Sequence, residues 1–138
     1  MQIKLNIKSE VNKKLTIKQL KMVLFRSMLK MQELATINCP VDKGRLRNSI
    51  HLDPSVEGYS AYRLSDGVEY GVDVEYGTSP HLITTKVARA LKFSSGNKTI
   101  FSKSVMHPGQ EAQPFMRPAL DQVKNVWIKR YTNQILSR

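Results

Sequence analysis

The stretch Ile17–Asn38 constrains this chain more than any other. Its apolar residues Ile17, Leu20, Leu24, Met28, Met31 and Ala35 recur every three or four positions, and Val23, Phe25, Leu34 and Ile37 widen the stripe. Lys18, Lys21, Arg26, Lys30 and Glu33 fall largely on the other side. Residues at that spacing share one face of a 3.6-residue helix, so the segment predicts an amphipathic helix of about six turns. Thr16 stands where an N-cap is needed, its hydroxyl able to accept from a free backbone N–H of the first turn. Pro40 sets the other end, because a residue preceding proline avoids the helical region.

Around this helix the pattern reads as sheet. Gln2–Lys8 alternates polar and apolar, with Ile3, Leu5 and Ile7 on one face of a short strand. Ser49–Leu52 and Tyr59–Leu64 read as strands, the first ending at the Asp53–Pro54 break. Val68–Tyr76 carries the strongest alternation: Val68, Tyr70, Val72, Val74 and Tyr76 on one side, and Glu69, Gly71, Asp73 and Glu75 on the other. It is expected to pair across a Ser65-Asp66-Gly67 turn as an antiparallel hairpin. Val87–Phe93 and Thr99–Val105 flank Ser-Ser-Gly-Asn and suggest a second hairpin, with a helical turn over Lys86–Leu91 as the alternative. His107–Pro114 reads as an exposed loop. A last helix is expected from near Pro118, a residue suited to the first helical position, with Leu120, Val123, Trp127, Tyr131 and Ile135 buried. The expected fold is α+β in one domain over 1–138: an antiparallel sheet packed by a long helix and a C-terminal helix, with 77–113 as a mobile loop or hairpin insertion.

The 138 residues suit one domain able to bury a core, and 41% hydrophobic content argues against wholesale disorder. The single cysteine, Cys39, excludes an internal disulfide, and no Cys/His cluster has zinc spacing. The longest run of large apolar residues, Met22–Phe25, is far short of the ~20 needed to cross a bilayer. Lysines near the N-terminus precede no apolar stretch, so no signal peptide is expected. The net charge is +11, and it is segregated: +8 over 1–50, −5 over 51–78 and +8 over 79–138. That order suits copies packed side by side through complementary potentials as well as it suits a nucleic-acid partner.

Residues arranged for catalysis are scarce. There is no phosphate-binding glycine loop, dinucleotide fingerprint, zinc-protease helix or nucleophile elbow. His51, His81 and His107 are widely spaced and read as surface histidines, and Cys39, at the end of the first helix, as a small semi-buried filler. Glu69, Asp73 and Glu75 would form a carboxylate row if 68–76 is a strand, with neighbours roughly 7 Å apart. Such a row could do acid–base work or hold Mg²⁺, but no nucleophile or phosphate cradle accompanies it. A solvated face, or an acidic surface turned to another subunit or a channel, fits it better. No enzyme activity, cofactor or metal is expected. The basic residues Lys18, Lys21, Arg26 and Lys30 could neutralise phosphates, but few aromatics interleave with them for base stacking.

Three local signatures remain. Pro40-Val-Asp-Lys-Gly-Arg-Leu-Arg-Asn-Ser-Ile50 places Asp42 and Gly44 in a turn, with Leu46 and Ser49 leading to the sheet. Tyr70–Thr78 ends in Glu75-Tyr76-Gly77. Gln113-Pro-Phe-Met-Arg-Pro-Ala-Leu120 has Pro114 and Pro118 stiffening the approach to the last helix, Phe115 as a core anchor, and Arg117 between them. Together and in this order they resemble the tail-completion, or head–tail joining, family of long-tailed bacteriophages, over about 41–120.

The resemblance implies a non-enzymatic structural protein of the virion neck. It would form a homo-oligomeric ring, six-fold in the family, around the DNA channel. Its partners would be head-connector or stopper proteins on one side and tail terminator or tail tube proteins on the other, with genomic DNA passing non-specifically and no membrane involved. It would be found in the virion and, during assembly, in the host cytoplasm. On that basis Glu69, Asp73 and Glu75 are expected to face either the channel or basic residues such as Lys18, Lys21 and Arg26 of the next copy. Lys92, Phe93, Phe101 and His107 are expected on a docking loop that orders against the tail or connector. The alternatives are a tail-terminator or head-closure protein of the same neck, and a basic non-specific DNA-binding protein.

Overall fold

The long amphipathic segment forms the helix that its spacing predicts: α1 (Ile17–Asn38). Thr16 and Gln19 cap it reciprocally. The Gln19 backbone N–H donates to Thr16 Oγ1 at 3.3 Å, and Gln19 Oε1 accepts from the Thr16 N–H at 2.9 Å. Cys39, immediately before Pro40, is extended (φ −66°, ψ 125°) and ends the helix. The face turned inward comprises Val23, Leu24, Ser27, Met28, Met31 and Ala35. Ile17, Phe25 and Ile37, assigned to that stripe by spacing, are instead exposed: Ile17 lies in the first turn, ahead of the first buried residue, and Phe25 and Ile37 fall outside the arc that Leu24, Met28, Met31 and Ala35 share.

The computed structural model describes residues 2–4, 15–54, 62–86 and 89–137. After α1 come α2 (Arg45–Ser49), β2 (His51–Pro54), β3 (Tyr62–Ser65) and α3 (Gly71–Tyr76), with β1 (Gln2–Lys4) preceding the helix. There follow β4 (His81–Thr84), β5 (Leu91–Ser95), β6 (Lys98–Ser102) and β7 (Ser104–His107). The chain closes with α4 (Met116–Gln122), a π-helical turn over Val123–Trp127, and α5 (Ile128–Leu136). The fold is α+β, as expected. No helix among the described residues is long and apolar enough to cross a membrane.

The main sheet has three antiparallel strands in the order β1-β3-β2, with Leu64 of β3 opposite both Ile3 and Leu52. Several strand expectations are corrected here. Ser49 belongs to α2, so the strand begins at His51. Asp53 and Pro54 continue that strand instead of breaking it; proline is tolerated because β2 is an edge strand. The segment 68–76 is not a strand. Its second half is α3, and the partners of β3 are β1 and β2, so no hairpin forms across Asp66–Gly67. Of the strands expected over 2–8 and 59–64, residues 5–8 and 59–61 lie outside the described residues.

The core lies between α1, the last helices and β3. Leu24, Met28, Met31 and Ala35 of α1 meet Phe115, Met116, Ala119 and Val123, with Leu46, Ile50, Leu64 and Val74 closing the sides. Phe115, Met28, Met31, Leu64 and Met116 are the largest fully buried side chains, each worth about 1.5–3 kcal/mol relative to exposure. The final helix starts at Met116, placing Pro118 at its third residue and not its first. Val123 of its expected stripe is buried, whereas Leu120, Trp127, Tyr131 and Ile135 are half-buried.

The segment expected to be a mobile loop or hairpin carries two pairs of antiparallel strands among its described residues. β4 runs antiparallel to β7, with His81 opposite His107 and Leu82 opposite Met106. β5 and β6 continue as a hairpin, turning at Gly96 with φ 59°. The hairpin expected from Val87–Phe93 and Thr99–Val105 has the strands Leu91–Ser95 and Lys98–Ser102, while Ser104 and Val105 belong to β7 and pair with β4, and residues 87 and 88 lie outside the described residues. The strands of this ribbon pack principally on one another.

Candidate functional site

The three sequence signatures meet at one place, and Glu75 joins two of them. In α3, Gly71, Val74 and Glu75 face inward, at helical i, i+3, i+4 spacing. A Cβ at Gly71 would overlap the buried Asp66 carboxylate, so the glycine permits the close approach of that loop. Glu75 is fully buried. Its Oε2 accepts from the backbone N–H of Phe115 at 2.7 Å and of Met116 at 2.9 Å. Its Oε1 accepts from the Arg117 backbone N–H at 3.0 Å and from Arg117 Nε at 3.1 Å. Arg117 Nη2 donates to the Glu75 carbonyl at 3.3 Å.

These contacts answer a local need. The first N–H groups of a helix have no partner within it, and Phe115 at the N-cap of α4 brings no capping side chain. A carboxylate from forty residues earlier supplies the acceptors, at the end of the helix where negative charge is favoured. Burial pushes the Glu75 carboxyl up, but the three backbone donors and the Arg117 side chain outweigh it, leaving the group below the ordinary carboxylate range. The Arg117 guanidinium also lies over the Tyr76 ring, 4.6 Å from its centroid.

Beside this clamp the chain is pinned again. Gln113 N–H donates to Val74 O at 2.8 Å, and Thr78 and Gln110 exchange backbone hydrogen bonds at 2.9 and 3.0 Å. Gly77 (φ 74°) and Gly109 (φ 87°) flank that exchange at the foot of the ribbon. A Cβ on Gly77 would come 2.6 Å from Gln110 O, so both the dihedral and the space require glycine.

The first signature completes the site. Gly44, at φ 77°, turns the chain into α2, and Pro40–Leu46 forms one wall of a cleft of about 490 Å³. Tyr70, Val74, Gln110 and Gln113 line the rest. Asp42 is exposed in this cleft, and Glu69 and Asp73 are exposed on and beside α3.

The expected sites divide accordingly. Gly44, Leu46, Glu75, Gly77, Phe115 and Arg117 are brought to the junction; Ser49 instead bonds within α2, its hydroxyl donating to Leu46 O at 2.8 Å. Pro114 is exposed and Pro118 half-buried. Glu75 is corrected: buried and fully engaged, it can line neither a channel nor an interface, and the row with Glu69 and Asp73 does not exist because the segment is helical. Lys18 is exposed on α1, with Lys21 and Arg26 half-buried. Arg26 borders a separate shallow groove with Leu29, Lys30, Glu33 and Tyr131. On the ribbon, Lys92 and Phe101 are exposed, and Phe93 and His107 half-buried.

The sequence reading missed Val41, Gln110 and Gln113 as cleft residues. Gln113 opens the third signature, which was the available signal; Gln110 had none, since only its pairing with Thr78 places it there. Among the described residues no group of three His, Cys, Asp or Glu side chains could hold a metal ion. Cys39 is buried, and burial raises its thiol above the ordinary range. Comparison of the chain with family models, curated proteins and solved structures finds no match.

Proposed function

We propose that this chain is a structural, non-enzymatic protein of the neck of a long-tailed bacteriophage, forming a ring that joins the tail tube to the head connector around the DNA channel. One observation carries the reading. The three segments on which the sequence resemblance rests converge on a single junction, where Glu75 holds the 113–120 segment and Pro40–Leu46 closes the adjoining cleft. Three unrelated element boundaries would have no reason to meet. The paired strands β4–β7, with Lys92, Lys98, Leu82, Phe101 and Met106 exposed, supply a surface suited to assembly.

The test is the mass of the purified protein, alone and after mixing with tails that lack it. A fixed-copy ring on tails, followed by recovery of head joining, is the expected result. Capture by tail-less heads in place of tails would assign the head-closure position. Absence of binding to either, together with tight DNA binding that falls steeply with salt, would replace this reading with a DNA-binding one.

A further inference from the structure

The ribbon and the α3 region differ sharply in charge. Residues 64–85 contain Asp66, Glu69, Asp73 and Glu75 and no Lys or Arg. Residues 86–110 contain Lys86, Arg89, Lys92, Lys98 and Lys103 and no Asp or Glu. With Asp66 and Glu75 buried, the acids of the first stretch open to a partner are Glu69 and Asp73, beside the cleft that Asp42 also lines. On the ribbon Lys92, Lys98 and Lys103 are all exposed.

The ribbon is also short of apolar cover. Leu82 and Met106, opposite each other, are 57% and 64% exposed, and Phe101, opposite Lys92, is 66% exposed. A two-stranded ribbon is marginal in water without a further layer against it. The cleft offers matching apolar surface in Val41 and Tyr70, 54% and 40% exposed.

We propose that the ribbon of one copy seats on the α3 face of the next, its lysines against Glu69 and Asp73 and Phe101 entering the cleft between Val41 and Tyr70. This assignment rests on the ring reading above. It joins two different patches of the same surface, the head-to-tail geometry that closes into a ring when the rotation allows. The cleft wall carries Lys43 and Arg45 against the single acid Asp42, so its net charge is positive and the ribbon lysines are favoured on the side of Glu69 and Asp73, which orients the ribbon.

The experiment uses two charge-reversed full-length chains: K92E/K98E/K103E on the ribbon, and E69K/D73K on the α3 face. Mass is read by light scattering, on tails if the unaltered chain forms rings only there, with circular dichroism as the folding control. Each variant is expected to fold and to fall to the 15.7 kDa of a single chain. An equimolar mixture is expected to regain the ring, because alternating copies of an even-numbered ring restore opposite charges at every contact. Phe101→Ser is expected to weaken the ring with no such rescue.

Rings retained by both variants, or a mixture that stays monomeric, would overturn this contact and leave the ring reading standing. A ribbon variant that keeps its ring but is no longer captured by tails would give the ribbon a neck partner as occupant, also overturning the contact. An unaltered chain that stays monomeric both alone and on tails would overturn the ring reading itself.

Discussion

The Glu75 carboxylate accepts the backbone N–H of Phe115 at 2.7 Å, so the helix that closes the core is capped by a side chain forty residues earlier in the sequence. Removing that side chain leaves two fully buried residues, Phe115 and Met116, with unpaired amides. Glu75→Ala should therefore cost about 2–6 kcal/mol, at about 1–3 kcal/mol for each buried amide left without an acceptor. Arg117, half-exposed, contributes a weaker contact, and Arg117→Ala should cost about 1 kcal/mol. Urea unfolding of the two variants checks the order.

The same carboxylate makes stability depend on pH. Its donors hold it below the ordinary glutamate range in the folded chain, so the unfolded chain binds the proton first as pH falls. The stabilisation is complete above the unfolded value. It is lost as pH drops through that value and then through the lower folded one. Acid titration of unfolding should show this loss in the unaltered chain and a shallower slope in Glu75→Gln.

The foot of the ribbon should tolerate no side chain where its tip does. Gly77→Ala combines positive φ with a Cβ 2.6 Å from Gln110 O, whereas Gly96, also at positive φ, has open space around it. Gly96→Ala should cost about 1–2 kcal/mol from the dihedral alone, and Gly77→Ala clearly more. Thermal melts of the pair compare them directly.

Two phenylalanines should separate folding from assembly. Phe115 is fully buried, and Phe115→Ala should lose about 3–5 kcal/mol. Phe101 is 66% exposed, and Phe101→Ser should change unfolding by no more than about 0.5 kcal/mol while reducing ring mass.

The thiol of Cys39 should be slow to react. It is 5% exposed, and burial holds its thiol above the ordinary range, so little thiolate forms near neutrality. Labelling by a thiol reagent should be slow in buffer and rapid in denaturant.

Local chemistry made α1 legible from sequence. Its stripe, its Thr16 cap and its Pro40 stop all act within a few residues, and the helix runs over the expected Ile17–Asn38. The 91–102 hairpin was legible for the same reason, its glycine turn lying between two strands adjacent in the chain. Of the candidate site, Gly44 and Phe115 were legible as a turn and a core anchor, because positive φ and apolar bulk are properties of one residue.

Alternation over 68–76 predicted a strand, with Glu75 on its wet face. The tertiary structure made Gly71–Tyr76 a helix and buried Glu75 with Gly71 and Val74, at i, i+3 and i+4. Hydrophobic periodicity cannot find that face, because one of its three members is an acid and another a glycine. An acid becomes an interior residue only when donors come to it, and those donors lie at 115–117, on an element that the rest of the fold must first bring into place. The sequence by itself determined the helices and turns whose causes are local. Which acid is buried, and how the three signatures share one cleft, was decided by contacts between residues far apart in the chain.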